Sequence, residues 1–98
     1  MNSTAQAAGP MTIHVTWSPV VLAGARVLRG YRIKYFAVDK PHLTMDITVG
    51  SNGIYANLTG LRPFTVYNVQ VAAFSSEEGN FTSPLLVKTW EGGKRNRL

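Results

Sequence analysis

The chain is expected to fold as an all-β sandwich of two antiparallel sheets, and three observations carry that expectation. Apolar residues return at every second position in run after run, as they do in strands with one buried face. Gly, Pro, Asn and Ser punctuate these runs at short intervals. No segment keeps the i, i+3, i+4, i+7 apolar spacing of a helix over three turns. The helical crossovers of about 10–15 residues that parallel strands need are therefore missing, and neighbouring strands must pair antiparallel.

The elements follow in order. "PMTIHVTW" sets Ile13, Val15 and Trp17 against Thr12, His14 and Thr16, a strand with Trp at its inner end. "GYRIKYFA" repeats the pattern, with Tyr31, Ile33 and Tyr35 inward and Arg32 and Lys34 outward. "LTMDITV" opposes Leu43, Met45, Ile47 and Val49 to Thr44, Asp46 and Thr48. Gly50-Ser51-Asn52-Gly53 carries the Asn-Gly signature of a turn, and a short strand through Ala56 and Leu58 comes after it. The next strand alternates Tyr67, Val69, Val71 and Ala73 with Asn68, Gln70 and Ala72. The last, "SPLLVKTW", puts Leu85, Val87 and Thr89 on one face.

The lead-in "NLTGLRPFTVY" is more particular than strand propensity requires. A sandwich must turn a corner where the chain leaves one sheet for the other, and a Tyr near the start of the second strand can pack beneath it. Tyr67 is placed for that role, its hydroxyl bonding backbone a few residues upstream. Leu58 and Leu61 fill the core beside the turn, and Pro63 fixes φ in the connection. The expected core is Trp17, Tyr31, Ile33, Leu58, Leu61, Pro63, Tyr67, Val69 and Val71.

Composition narrows the function. Ninety-eight residues make one domain with a single core, and 45% hydrophobic with 15% charged residues fits neither a disordered polymer nor a helix-rich bundle. The absence of cysteine removes disulfide frameworks, thiolate metal sites and cysteine nucleophiles together. Of the net charge of +5, three cations (Lys94, Arg95 and Arg97) follow Gly92-Gly93 as a basic tail; through Gly93 seven Lys/Arg face five Asp/Glu. No window has the length and apolarity of a membrane span or the pattern of a signal peptide. Three sequons, at Asn2, Asn57 and Asn80, are candidate N-glycosylation sites and point to an extracellular module cut from a longer protein.

Taken together, Trp17 before Ser18-Pro19, "GYRIKY", "LTGLRPFTVYNVQVAAF", a Gly-containing loop and "SPLLVKT" resemble a fibronectin type III domain, in order from about Pro10 to Glu91. Within that family, "PVVLAGARVLRGYRIKYF" is similar to modules of neural adhesion receptors of the contactin, neurofascin and sidekick type. The resemblance implies seven strands in two antiparallel sheets. The family's first strand would fall in "NSTAQAAG", which is small, polar and poorly patterned, so a short or irregular strand is expected there. The expected division is a flexible lead over 1–9 with a weak or partial first strand, the domain over 10–91, and a flexible basic tail over 92–98.

No catalytic constellation assembles. His14 and His42 are the only imidazoles, and Asp39, Asp46, Glu77, Glu78 and Glu91 are scattered over different strands and loops; exposed polar surface accounts for them. The chain is expected to be non-enzymatic and without cofactor or metal. Arg26, Arg29, Arg32 and Lys34 are the candidate binding cations, able to hold sulfates of a glycosaminoglycan or an acidic partner, although an ordinary solvated face explains them too. Nucleic acid is disfavoured because the aromatic among them, Tyr31, faces the core. The resemblance implies an extracellular part of a cell-surface or secreted protein that is not itself membrane-inserted. Its partners would be other proteins and adjacent domains of the same parent chain. The alternatives are heparan sulfate binding through the basic strand and homophilic association through an edge left open by a weak first strand.

Overall fold

The computed structural model describes residues 2–22, 24, 26–77 and 79–92. Of the expected basic tail over 92–98, everything from Gly93 onward, with Lys94, Arg95 and Arg97, lies outside the described residues, as does Glu78. Seven strands form: β1 (Ser3–Ala7), β2 (Ile13–Trp17), β3 (Gly30–Ala37), β4 (Met45–Gly50), β5 (Tyr55–Leu58), β6 (Val66–Phe74) and β7 (Leu85–Lys88). They make a three-stranded sheet ordered β1-β2-β5 and a four-stranded sheet ordered β4-β3-β6-β7, every pair antiparallel. This is the predicted sandwich, and the alternation read from the sequence is what builds it. β2 buries Ile13, Val15 and Trp17 on one parity, and β3 buries Tyr31, Ile33 and Tyr35. With Leu58, Leu61, Tyr67, Val69 and Val71 these residues form one core between the sheets.

Two tyrosine hydroxyls close the sandwich. Tyr67 accepts a hydrogen bond from the Arg62 N–H, five positions upstream, at 2.9 Å, so the corner forms as its sequence predicts. Tyr31 does the same for the long connection before β3, accepting from the Val20 N–H at 3.0 Å. Trp17 packs its ring 5.3 Å from that of Tyr31 and donates its indole N–H to the Gly53 carbonyl, which ties β2 to the β4–β5 turn. Pro63, expected in the core, is exposed; it sets the chain direction at the corner and packs its ring against Gly92, while Leu58 and Leu61 fill the space beneath.

The first strand departs from expectation. Instead of a weak lead, Ser3–Ala7 pairs with β2 at all five positions, from Ser3 opposite Trp17 to Ala7 opposite Ile13. Its small residues do not prevent this, because ladder bonds come from the backbone. Ala5 and Ala7 pack against the core, and the Thr4 and Thr16 hydroxyls meet across the strands at 2.7 Å. The edge of β2 is therefore covered, which removes the premise for association through an edge left open by a missing first strand. The fourth strand departs in the other direction. Leu43 precedes it and, with Met45, stays about half exposed in an open cleft shared with Phe36, His42 and Tyr67, whereas Ile47 and Val49 farther along the strand pack against the core.

Candidate protein-contact surface

The outward parity of the four-stranded sheet collects residues far apart in sequence. On β3 it presents Arg32, Lys34 and Phe36; on β6, Val66, Asn68, Gln70 and Phe74; on β7, Leu86 and Lys88. Register fixes the rows. Phe36 and Leu86 both lie opposite Asn68, and Lys34 lies between Gln70 on one side and Asp46 on the other. Beyond them the Val38 N–H donates to the Val66 carbonyl, extending the row of apolar residues to Val38, Val66 and Phe64. These three, with Asp39 and Thr65, line a cleft of about 320 Å³. Leu86, Phe64 and Val38 are exposed by 68%, 59% and 47%, too much to be core.

Three cations of this face lie over phenylalanine rings. Lys88 Nζ is 3.6 Å from the Phe64 centroid, Lys34 Nζ is 4.3 Å from that of Phe81, and the Arg32 guanidinium carbon is 5.8 Å from that of Phe74. Each such contact contributes about 0.5–1 kcal/mol at an exposed site and, more to the point, fixes where the charge sits. Phe64 reaches its place by adopting φ 52°, a left-handed conformation rare for a bulky residue. Its N–H is held by the Trp90 carbonyl at 2.9 Å. An exposed aromatic kept in a strained backbone beside a cleft marks a place where the fold spends stability on surface shape.

The four cations singled out in the sequence separate into two pairs. Arg32 and Lys34 share the sheet face two residues apart, whereas Arg26 and Arg29 are exposed in the connection that leads into β3. Lys88 shares the face but sits opposite Val66, several rows from Lys34. Sequence reading missed Phe64, Phe74 and Phe81 as platforms for these charges, and Val38 and Val66 as parts of the patch. Only outward parity could have flagged Val66 and Phe74; nothing local flags the rest.

The opposite outer face, on the three-stranded sheet, is different in kind. It carries Thr4, Gln6, His14, Thr16, Tyr55 and Asn57, with no Asp, Glu, Lys or Arg among them. His14 Nδ1 donates to Asn57 Oδ1 at 2.6 Å, and its ring stands 5.7 Å from that of Tyr55. Asn2, Asn57 and Asn80 are all exposed. Among the described residues no group of three His, Cys, Asp or Glu comes together to hold a metal ion, and no helix is long and apolar enough to cross a membrane.

Comparison with known proteins agrees with this geometry. The family model described as fibronectin type III domain matches residues 1–88. Human neural cell adhesion molecule L1 is 34% identical over 86 residues, covering 80% of this chain and 7% of that protein. Mouse protein sidekick-1 is 33% identical over 90 residues, covering 89% of this chain and 4% of that protein. The chain thus spans a small fraction of these relatives. Among solved structures, the chicken CNTN1 FN1-FN3 domains superpose with a TM-score of 0.83 at 25% identity, covering 93% of this chain and 31% of that one.

Proposed function

Because the chain belongs to the fibronectin type III domain family, we propose that it works as a non-enzymatic module in the extracellular part of a cell-adhesion or receptor protein, spacing its neighbours and meeting a partner protein through the outer face of its four-stranded sheet. One observation carries this reading: that face joins an exposed apolar patch to cations already laid over aromatic rings, while the other outer face has neither. Exposed apolar residues beside positioned charges are what a protein contact uses. Charges held in place lose less freedom on binding than free lysines do.

Heparan sulfate is the second reading. Arg32 and Lys34 side by side, with exposed Arg26 and Arg29 leading into their strand, favour it. Asp46 directly opposite Lys34 weighs against a polysulfate, because a carboxylate beside the ammonium lowers the positive field where a sulfate would sit.

The test is binding of a bivalent fusion of the domain to cultured neurons at physiological salt, with and without heparinase. The Val66→Asp/Leu86→Asp double variant should lose about tenfold in binding, and heparinase should leave the unaltered domain bound. Binding that heparinase abolishes, and that replacement of Arg26, Arg29, Arg32 and Lys34 by Ser also abolishes, would transfer the site to the glycosaminoglycan. Absence of binding in every arm would leave a spacer alone.

A further inference from the structure

The uncharged face of the three-stranded sheet has a sequon at its edge and an aromatic ring beside it. We propose that Asn57 carries an N-linked glycan whose first N-acetylglucosamine packs on Tyr55, so that sugar covers this face and leaves the four-stranded face for partners. The inference rests on the extracellular reading given above.

Three observations meet here. Asn57 and Tyr55 are two residues apart on β5, so their side chains leave the same side of the sheet, within reach of one sugar ring. Tyr55 is 56% exposed and its ring is steadied by His14, which makes a flat apolar surface beside the sequon. The Asn57 Oδ1 is already engaged by the His14 Nδ1–H, and Nδ2 is the atom that a glycan needs. Glycosylation keeps Oδ1 as an acceptor, so the His14 bond survives and holds the amide in one orientation. That bond aims the sugar along the face.

The other two sequons lack this arrangement. Asn80 is followed by Phe81, whose ring lies under Lys34, and by Thr82, whose hydroxyl accepts from the Val71 N–H; a sugar there would stand beside the proposed contact face. Asn2 precedes β1, its backbone bonded to Ser18, and the strand it leads into has no aromatic residue to offer an exposed ring, as Tyr55 does for Asn57 on β5.

The transfer step is the ordinary one of the secretory membrane. Asn57 Nδ2 attacks the anomeric carbon of a lipid-diphosphate-linked oligosaccharide; the N–C bond forms as the sugar C–O bond to diphosphate breaks. Lipid diphosphate leaves, and the amide proton passes to a carboxylate of the transferase.

The experiment is secretion of the chain from mammalian cells behind a cleaved signal, with glycopeptide mapping and thermal melting before and after enzymatic removal of the glycan. Asn57 should be occupied, and glycan removal should lower the Tm by several degrees. In Tyr55→Ser the same removal should lower it by less than half as much. An unmodified Asn57 alongside an occupied Asn80 or Asn2 would overturn the proposal while sparing the extracellular reading. Secreted protein bare at all three sites would overturn it too. Equal Tm losses in Tyr55→Ser and the unaltered chain would remove Tyr55 as the platform.

Discussion

At the scale of single residues, the fold depends on a few hydroxyls placed against backbone donors. Removing the Tyr67 hydroxyl by Tyr67→Phe leaves the Arg62 N–H without its partner in a half-closed corner. The expected loss is about 1–2 kcal/mol, read as a lower urea midpoint at unchanged slope. Tyr35 is buried in the core, and its pKa is raised above the ordinary 10.0, first by burial and then by the nearby Tyr67 and Asp46 charges. Below pH 10 both folded and unfolded chains keep this proton, so nothing is lost. As pH rises past 10 the unfolded chain gives it up first, and stability falls until the folded value is passed. Tyr35→Phe should therefore flatten the alkaline arm of a Tm-against-pH curve and leave the neutral region unshifted by titration. Gly30 shows a third kind of dependence, on space: a Cβ there would collide with the Val49 carbonyl across the β3–β4 ladder. Gly30→Ala should cost about 1–3 kcal/mol, checked by the same denaturation series.

At the scale of elements, β1 is the informative strand. Removing residues 2–8 strips five paired positions from β2 and exposes its edge. The shortened chain should melt lower and should form a dimer that grows with concentration and tolerates salt, measured by sedimentation. Six strands were legible in the sequence because each carries large apolar residues on one parity: Ile13, Val15 and Trp17, or Tyr67, Val69 and Val71. β1 was not legible as a regular strand, because Ala5 and Ala7 are too small to announce a buried face although they occupy one. Leu43 and Met45 misled in the opposite sense: their alternation is right, but they line an open cleft at the start of the strand while Ile47 and Val49 of the same parity reach the core. The contact face was legible only in pieces. Arg32 and Lys34 are visible as outward residues of one strand, but the meeting of Phe36 and Leu86 about Asn68 is a product of register between three strands. Phe64 could not be found from its neighbours, because its exposure follows from a left-handed backbone that only the corner imposes.

At the scale of the whole molecule, the two outer faces differ in kind: one apolar and cationic, the other uncharged and polar with its sequon. The same chain also has two poles. Asn2 and Ser18 are joined at one, and Gly9, Phe64 and Trp90 at the other. β1 sets out from the first pole, and β7 delivers the chain to the second. A pull on the two ends of this module therefore acts along both strands. It cannot peel β1 from β2 bond by bond; it must slide the strand, breaking its five-residue ladder and the Thr4–Thr16 clasp together. A strand of Ser, Thr, Ala and Gln, hardly noticeable by its side chains, is thus expected to carry the shear. Under an atomic force probe, Thr4→Pro should lower that force far more than it lowers the melting temperature.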